Sequence, residues 1–170
     1  MRTDKRLLFI PVLFLLFACI LETKYTLSDR EEAIVLDELK GNFLVKNDTS
    51  KVEFRGLEDD LSYDVFLKTG KDSVLEHHHA FISDVKGRYF LNFNTKDLLE
   101  DKGQKELYQF FKIDMPADVD LELTQVSDSL FEKKDFSSER KFREYFISHI
   151  DDPLLFKGTK KDRIRLISDD

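Results

Sequence analysis

The sequence predicts a mostly β fold: an eight-stranded antiparallel up-and-down β-barrel with one α-helix before the last strand. Three observations lead there. Apolar and polar residues alternate with period two over most of the chain from Gly41 onward. The alternating runs recur at short intervals, too closely for parallel crossovers, which take about a dozen or more residues. One late segment alone changes to helical spacing. An antiparallel sheet of this strand number closes readily, because closure removes both edges.

The elements follow in order. Gly41-Asn42-Phe43 opens the first strand. In KVEFRGL (Lys51 to Leu57), Val52 and Phe54 share one face and Lys51, Glu53 and Arg55 the other. SYDVFLK (Ser62 to Lys68) sets Tyr63, Val65 and Leu67 against Ser62, Asp64 and Lys68. EHHHAF (Glu76 to Phe81) supplies the fourth strand. RYFLNFN (Arg88 to Asn94) aligns Tyr89, Leu91 and Phe93. LYQFFKI (Leu107 to Ile113) aligns Leu107, Gln109, Phe111 and Ile113, and VDLELTQ (Val119 to Gln125) aligns Val119, Leu121 and Leu123. Turn residues fill the breaks, as in KNDTS, LEDD, KTGKD, DVKG and MPAD. FSSERKFREYFISHI (Phe136 to Ile150) places Phe142, Tyr145 and Phe146 at helical spacing, with Ser137 or Ser138 as N-cap and Asp152-Pro153 as the stop. DRIRLIS (Asp162 to Ser168) returns to alternation as the last strand.

The front of the chain has a different character. Arg2, Lys5 and Arg6 precede an unbroken apolar run from Leu7 to Ala18. That run is short of the about 20 residues a bilayer-spanning helix needs, and its charged start and small closing residue describe a secretory signal peptide. LFAC (Leu16 to Cys19) resembles the bacterial lipobox. The resemblance implies cleavage before Cys19, acylation of that cysteine, and three regions: signal peptide 1–18, tether 19–40 and barrel domain 41–170. Within the tether, SDREEAIVLDEL (Ser28 to Leu39) opens with a capping-box pattern, Ser28 with Glu31, and predicts a short helix or turn. A flexible tether of twenty residues would span roughly 25 Å.

Cys19 is the only cysteine. Once acylated it leaves no disulfide, cysteine nucleophile or thiolate metal site, so the domain must be held by its core. The leader carries three positive charges and one negative; removing that net +2 takes the chain from −7 to −9. So acidic a chain has no electrostatic footprint for nucleic acid and is repelled by anionic lipid heads. The expected attachment to membrane is therefore the acylated Cys19. No glycine-rich phosphate loop or nucleophile elbow occurs. The carboxylate runs Glu58-Asp59-Asp60, Asp151-Asp152 and Asp169-Asp170 fall in turns or at the terminus, where charge runs are solvated. The sequence thus predicts no enzyme and no cofactor.

Gly41-Asn42-Phe43 resembles the Gly-x-Trp with which lipocalins and other calycins open their first strand, with Phe in place of Trp. The order of strands and helix is similar as well, and the layout resembles small lipocalin-like lipoproteins of Gram-negative bacteria. The resemblance implies that Gly41 marks the start of the first strand and that Phe43 plugs a closed barrel end. It also implies a small apolar ligand, lined by Phe54, Tyr63, Val65, Tyr89 and Leu91 together with Phe93, Gln109, Phe111 and Leu121. Such crowding by large side chains equally suits a solid barrel that docks an envelope protein complex. Ile20, following the cysteine in place of aspartate, resembles the outer-membrane case of the enteric sorting rule. The expected location is the bacterial cell envelope.

Two further features have chemical potential. His77 and His79 share a strand face and could chelate a metal, but the neighbouring sequence offers only Glu76, which points with His78. His149, at the end of the helix, is placed to meet the carbonyl dipole. Phe66 and Phe90 are expected on the outer face, beneath the helix or on a partner surface.

Overall fold

The structure, a computed structural model, describes residues 21–57, 61–69, 74–96, 98–99, 105–117, 120–132, 134–156 and 163–169. Eight antiparallel strands form a closed barrel in sequence order: β1 (Gly41–Val45), β2 (Lys51–Gly56), β3 (Tyr63–Thr69), β4 (Val74–Val85), β5 (Arg88–Asn94), β6 (Tyr108–Asp114), β7 (Leu121–Gln125) and β8 (Arg163–Ser168). The last strand closes on the first, with Leu44 opposite Ile167 and Val45 opposite Leu166. The helix α1 (Glu139–Ser148) precedes β8.

Glycine is needed at two points. Gly41 has φ +140°, a conformation that side chains resist, which gives the glycine of Gly41-Asn42-Phe43 a backbone reason. Lys86 and Gly87, with φ 55° and 75°, form the two-residue turn between β4 and β5, the positive-φ turn whose twist suits a tight hairpin.

Alternation divides the side chains as the sequence predicts. Phe43, Val52, Phe54, Tyr63, Val65, Leu91, Phe111, Leu121, Leu123 and Leu166 pack in one cluster inside the barrel. A second cluster lies outside it, where Phe90 of β5 and Phe110 of β6 meet Phe142 and Phe146 of α1. Ser138 caps the helix, its Oγ accepting from the Lys141 N–H at 3.4 Å. His149 ends it, with Nδ1 2.8 Å from the Tyr145 carbonyl. Phe90 thus packs beneath the helix, whereas Phe66 does not: it stacks on His77.

Residues 21–40 do not hang free. They cross the outer wall and then one end of the barrel as a strap. Thr23 bridges Tyr108, Ile34 bridges Ile82, and Leu21, Leu27, Ala33 and Leu39 are buried. The helix-or-turn expected there is two short 3-10 turns, Arg30–Glu32 and Asp37–Leu39. The capping box does not form, because the Ser28 hydroxyl instead meets that of Ser83 at 2.7 Å. The roughly 25 Å reach of a flexible twenty-residue tether therefore does not apply, since burying those apolar side chains outweighs the freedom of the loose segment.

Candidate functional site

The barrel has two unlike ends. At the end where β1 begins and β2 stops, the strap passes over the interior. The Tyr63 hydroxyl accepts from the Leu36 N–H at 2.7 Å and donates to its carbonyl at 3.1 Å. Burial is the main cause that raises the Tyr63 pKa above its ordinary value, with the Leu36 hydrogen bond working against it. Beneath lie Leu39, Phe43, Phe54 and Tyr63, all buried. The ring of Phe43 meets Phe54 edge-on at 6.1 Å, and Phe54 meets Tyr63 edge-on at 6.4 Å. Phe43 is thus buried at this end, under the strap.

At the opposite end the inward side chains are only partly covered. Val45, Leu67, Phe93, Gln109, Gln125 and Ile164 are half-buried there. Gln125 donates weakly to Gln109 across the β6–β7 pair at 3.5 Å. His78 points inward, 4% exposed, with its ring 4.8 Å from that of Phe93. Its Nδ1 lies 3.1 Å from the Lys96 carbonyl and its Nε2 3.2 Å from Glu76. This end is an apolar mouth edged by amides, an imidazole and a carboxylate.

All nine predicted lining residues face the interior side of their strands. Six of them, Phe54, Tyr63, Val65, Leu91, Phe111 and Leu121, are buried in the interior cluster, and Tyr89 and Phe93 pack against it half-covered. Only Phe93 and Gln109 edge the mouth, and Tyr89 lies toward the strapped end. Cys19 lies outside the described residues, as do Glu58-Asp59-Asp60 and Asp170. Asp151 pairs with Arg88, Asp152 accepts from the Leu154 N–H at 2.9 Å, and Asp169 pairs with Lys51 at 2.5 Å.

His77 and His79 do share a face, on the outside of β4. The third donor that the neighbouring sequence could not supply comes from β3. Asp64 stands opposite His79 in the ladder, and its Oδ1 is 2.9 Å from His77 Nε2 and 2.9 Å from His79 Nδ1. Alternation alone placed Asp64 outward; its partner depended on strand register, which no single run contains.

The strap is held midway along its course, at Thr26 to Asp29, by polar groups that sequence reasoning missed. Asn92, fully buried, accepts from the Leu27 N–H at 3.0 Å and donates to the Phe81 carbonyl and Ser83 hydroxyl. Arg143 of α1 donates to Glu139, Asp29 and the Thr26 carbonyl. Burial works to raise the Glu139 pKa, yet the hydrogen bonds from Thr26 and Arg143 outweigh it and hold the carboxyl below its ordinary range.

Among the described residues no helix is long and apolar enough to cross a membrane. No protein-family model, curated protein or solved structure matches the chain.

Proposed function

We propose that the chain is a lipid-anchored bacterial envelope protein, held by acylated Cys19, whose barrel takes up a small apolar molecule at its mouth without catalysing a reaction. The observation that carries this reading is the contrast, among the described residues, between a strapped, ring-filled end and one whose inward, partly apolar side chains are only half-buried. Its position adds to it. The strap begins at the mouth: the Leu21 N–H reaches the Val126 carbonyl, just past β7, and Thr23 pairs with Tyr108 at the start of β6. Cys19 is two residues upstream, a reach of at most about 7 Å. An acyl anchor there would hold the mouth at the lipid surface, where an apolar molecule can enter without crossing water. The anchor itself would be strong, at about 0.8 kcal/mol per buried methylene over two or more chains. Ile20 after the cysteine favours the outer membrane on the sorting resemblance.

The test uses the full chain produced in a lipoprotein-processing host and reconstituted in vesicles. A palmitate label should appear on the native chain and vanish in Cys19→Ala. A fluorescent fatty acid should bind saturably above the vesicle background, and Gln109→Arg, which puts a charge in the mouth, should weaken that binding by about tenfold or more, the scale of one unpaired buried charge. Label on Cys19 with no saturable uptake would sink the ligand reading and leave the anchor standing.

A second reading has its own observation. The deep interior is filled by side chains almost without exposure, as a solid barrel would be. A barrel serving only as a docking body for an envelope complex would bind no apolar probe and would instead yield a specific crosslinked neighbour in cells.

A further inference from the structure

We propose that Asp64, His77 and His79 form a surface site for one divalent transition-metal ion of the zinc class, on the outer wall formed by β3 and β4. This is independent of the anchor and of the mouth, because the three side chains face away from the interior.

The donor set comes first. Two imidazole nitrogens and one carboxylate oxygen lie within 4.8 Å of one another. A tetrahedral ion holds nitrogen and oxygen donors at about 2.0–2.2 Å, which places those donors roughly 3.3 Å apart. Asp64 Oδ1 stands 2.9 Å from each imidazole nitrogen, a few tenths of an ångström inside that spacing, and the two nitrogens lie within 4.8 Å of each other, so modest side-chain adjustment brings all three donors onto one ion. Three protein ligands leave a fourth position for water or an external group.

The arrangement is poorly satisfied without a cation. His79 Nδ1 is buried and has no hydrogen-bond partner, although Asp64 Oδ1 is only 2.9 Å away. One carboxylate oxygen is approached by two imidazoles, and its angle suits only one of them. An ion between the three would take the lone pairs of both nitrogens and the carboxylate together. The proton shared by His77 Nε2 and Asp64 would leave on binding.

The surroundings hold the ligands in place and leave them available. Phe66 stacks on the His77 ring at 4.4 Å and 13°, which fixes its orientation. Arg55 stands opposite Asp64 on β2 and could have neutralised it. Its guanidinium instead lies over Phe66 and donates to Glu53 at 2.6 and 3.2 Å. Asp64 is therefore left to face the two histidines. The side chains are 17%, 20% and 37% exposed for Asp64, His77 and His79, so an ion can reach them from solvent.

The experiment uses the full chain in detergent, stripped of metal by a chelating resin. Calorimetric titration with zinc should give one ion per chain. Cobalt(II) should give the visible absorption of a four-coordinate site. Asp64→Asn and His79→Gln should each weaken zinc by about a hundredfold or more, the upper end of what even outer-shell changes cost. His149→Gln should leave it unchanged. A measurement on the native chain guards against misfolded variants: zinc should shift the ring-nitrogen resonances of His77 and His79 and spare those of His149. Absence of saturable binding, an affinity unchanged in the His77→Gln/His79→Gln double variant, or a zinc-induced shift confined to other histidines would each overturn the site.

Discussion

Asn92 on β5 clips the strap to the barrel wall, and replacing it tests whether residues 21–40 belong to the folded body. Its side chain is fully buried between the barrel wall and the strap. It accepts from the Leu27 N–H at 3.0 Å and donates to the Phe81 carbonyl at 3.2 Å and the Ser83 hydroxyl at 2.8 Å. In Asn92→Ala the Leu27 N–H loses its acceptor inside an apolar layer, at a cost of about 1–3 kcal/mol. The two donated bonds contribute about 1 kcal/mol each, so the whole change should cost roughly 3–5 kcal/mol. That is a large part of the 5–15 kcal/mol typical of a domain. Urea denaturation should show a lower midpoint with little change in slope. Hydrogen exchange gives the sharper reading, because the amides of Leu27, Ala33 and Ile34 should lose protection before those of β6 and β7. A cost under about 1 kcal/mol, or strap amides exchanging as in the native chain, would refute the assignment of Asn92 as its clip.

Three other outcomes are expected. Phe146→Ala empties the contact between α1 and Phe90, whose rings lie 5.3 Å apart edge-on, and should cost about 3–5 kcal/mol by denaturation. Glu139 has a folded pKa below its unfolded one, so its contribution is present at neutral pH and lost as pH falls through the folded value, below the ordinary 4.5. Glu139→Gln should therefore be less stable than native at pH 7, the difference closing by acid pH in a denaturation series. Tyr63 is raised above 10.0 chiefly by burial, so its protonated form is favoured on folding and the stability tied to it is lost as pH rises through its folded value. Stability measured upward from pH 9 should fall less steeply in Tyr63→Phe than in the native chain.

The barrel was legible because alternation is local: each run of four to seven residues declares its own inward face, and adjacent runs pair in order. The helix was legible for the same reason, Phe142 and Phe146 standing one turn apart after Ser138. The strap was not. Its buried residues Leu21, Leu27, Ala33 and Leu39 recur only every six positions, with mostly polar residues such as Thr23, Asp29, Glu31 and Asp37 at the even offsets between them, too sparse an apolar pattern to declare a strand and out of step with a helix. Such a segment has no face of its own and acquires one only against the finished barrel. Ser28 misled for a related reason: the capping pattern was present, but Ser83 offered its hydroxyl a partner across the wall. The Asp64–His79 juxtaposition was half visible. Alternation set Asp64 against Tyr63, Val65 and Leu67 and put His77 and His79 on one face of their strand, and the pairing of Thr69 with Val74 then fixed which of them met.

The docked strap also bears on how an acidic chain could sit at a membrane, on the lipid-anchored reading. A floating tether would let repulsion push the body away from anionic headgroups. A leash of two residues from Leu21 leaves no such freedom, so what matters is where the charges fall. Asp37 and Glu38 lie on the strap where it crosses the closed end, and Asp120 stands at the start of β7, beside that end. The mouth is at the other extreme of strands such as β5, seven residues long, or about 23 Å along the strand at 3.3 Å per residue. A tilt of about 40° reduces this to roughly 18 Å of height. Screening decays over about 8 Å at physiological salt, so acidic groups at the closed end are more than two decay lengths from a surface at the mouth. Lys46 and Lys68 stand where β1 and β3 reach the mouth, beside Asp48 and Glu76, so the two signs are mixed there. On this reading the fold holds that acidic group away from the lipid, and the short leash keeps it there.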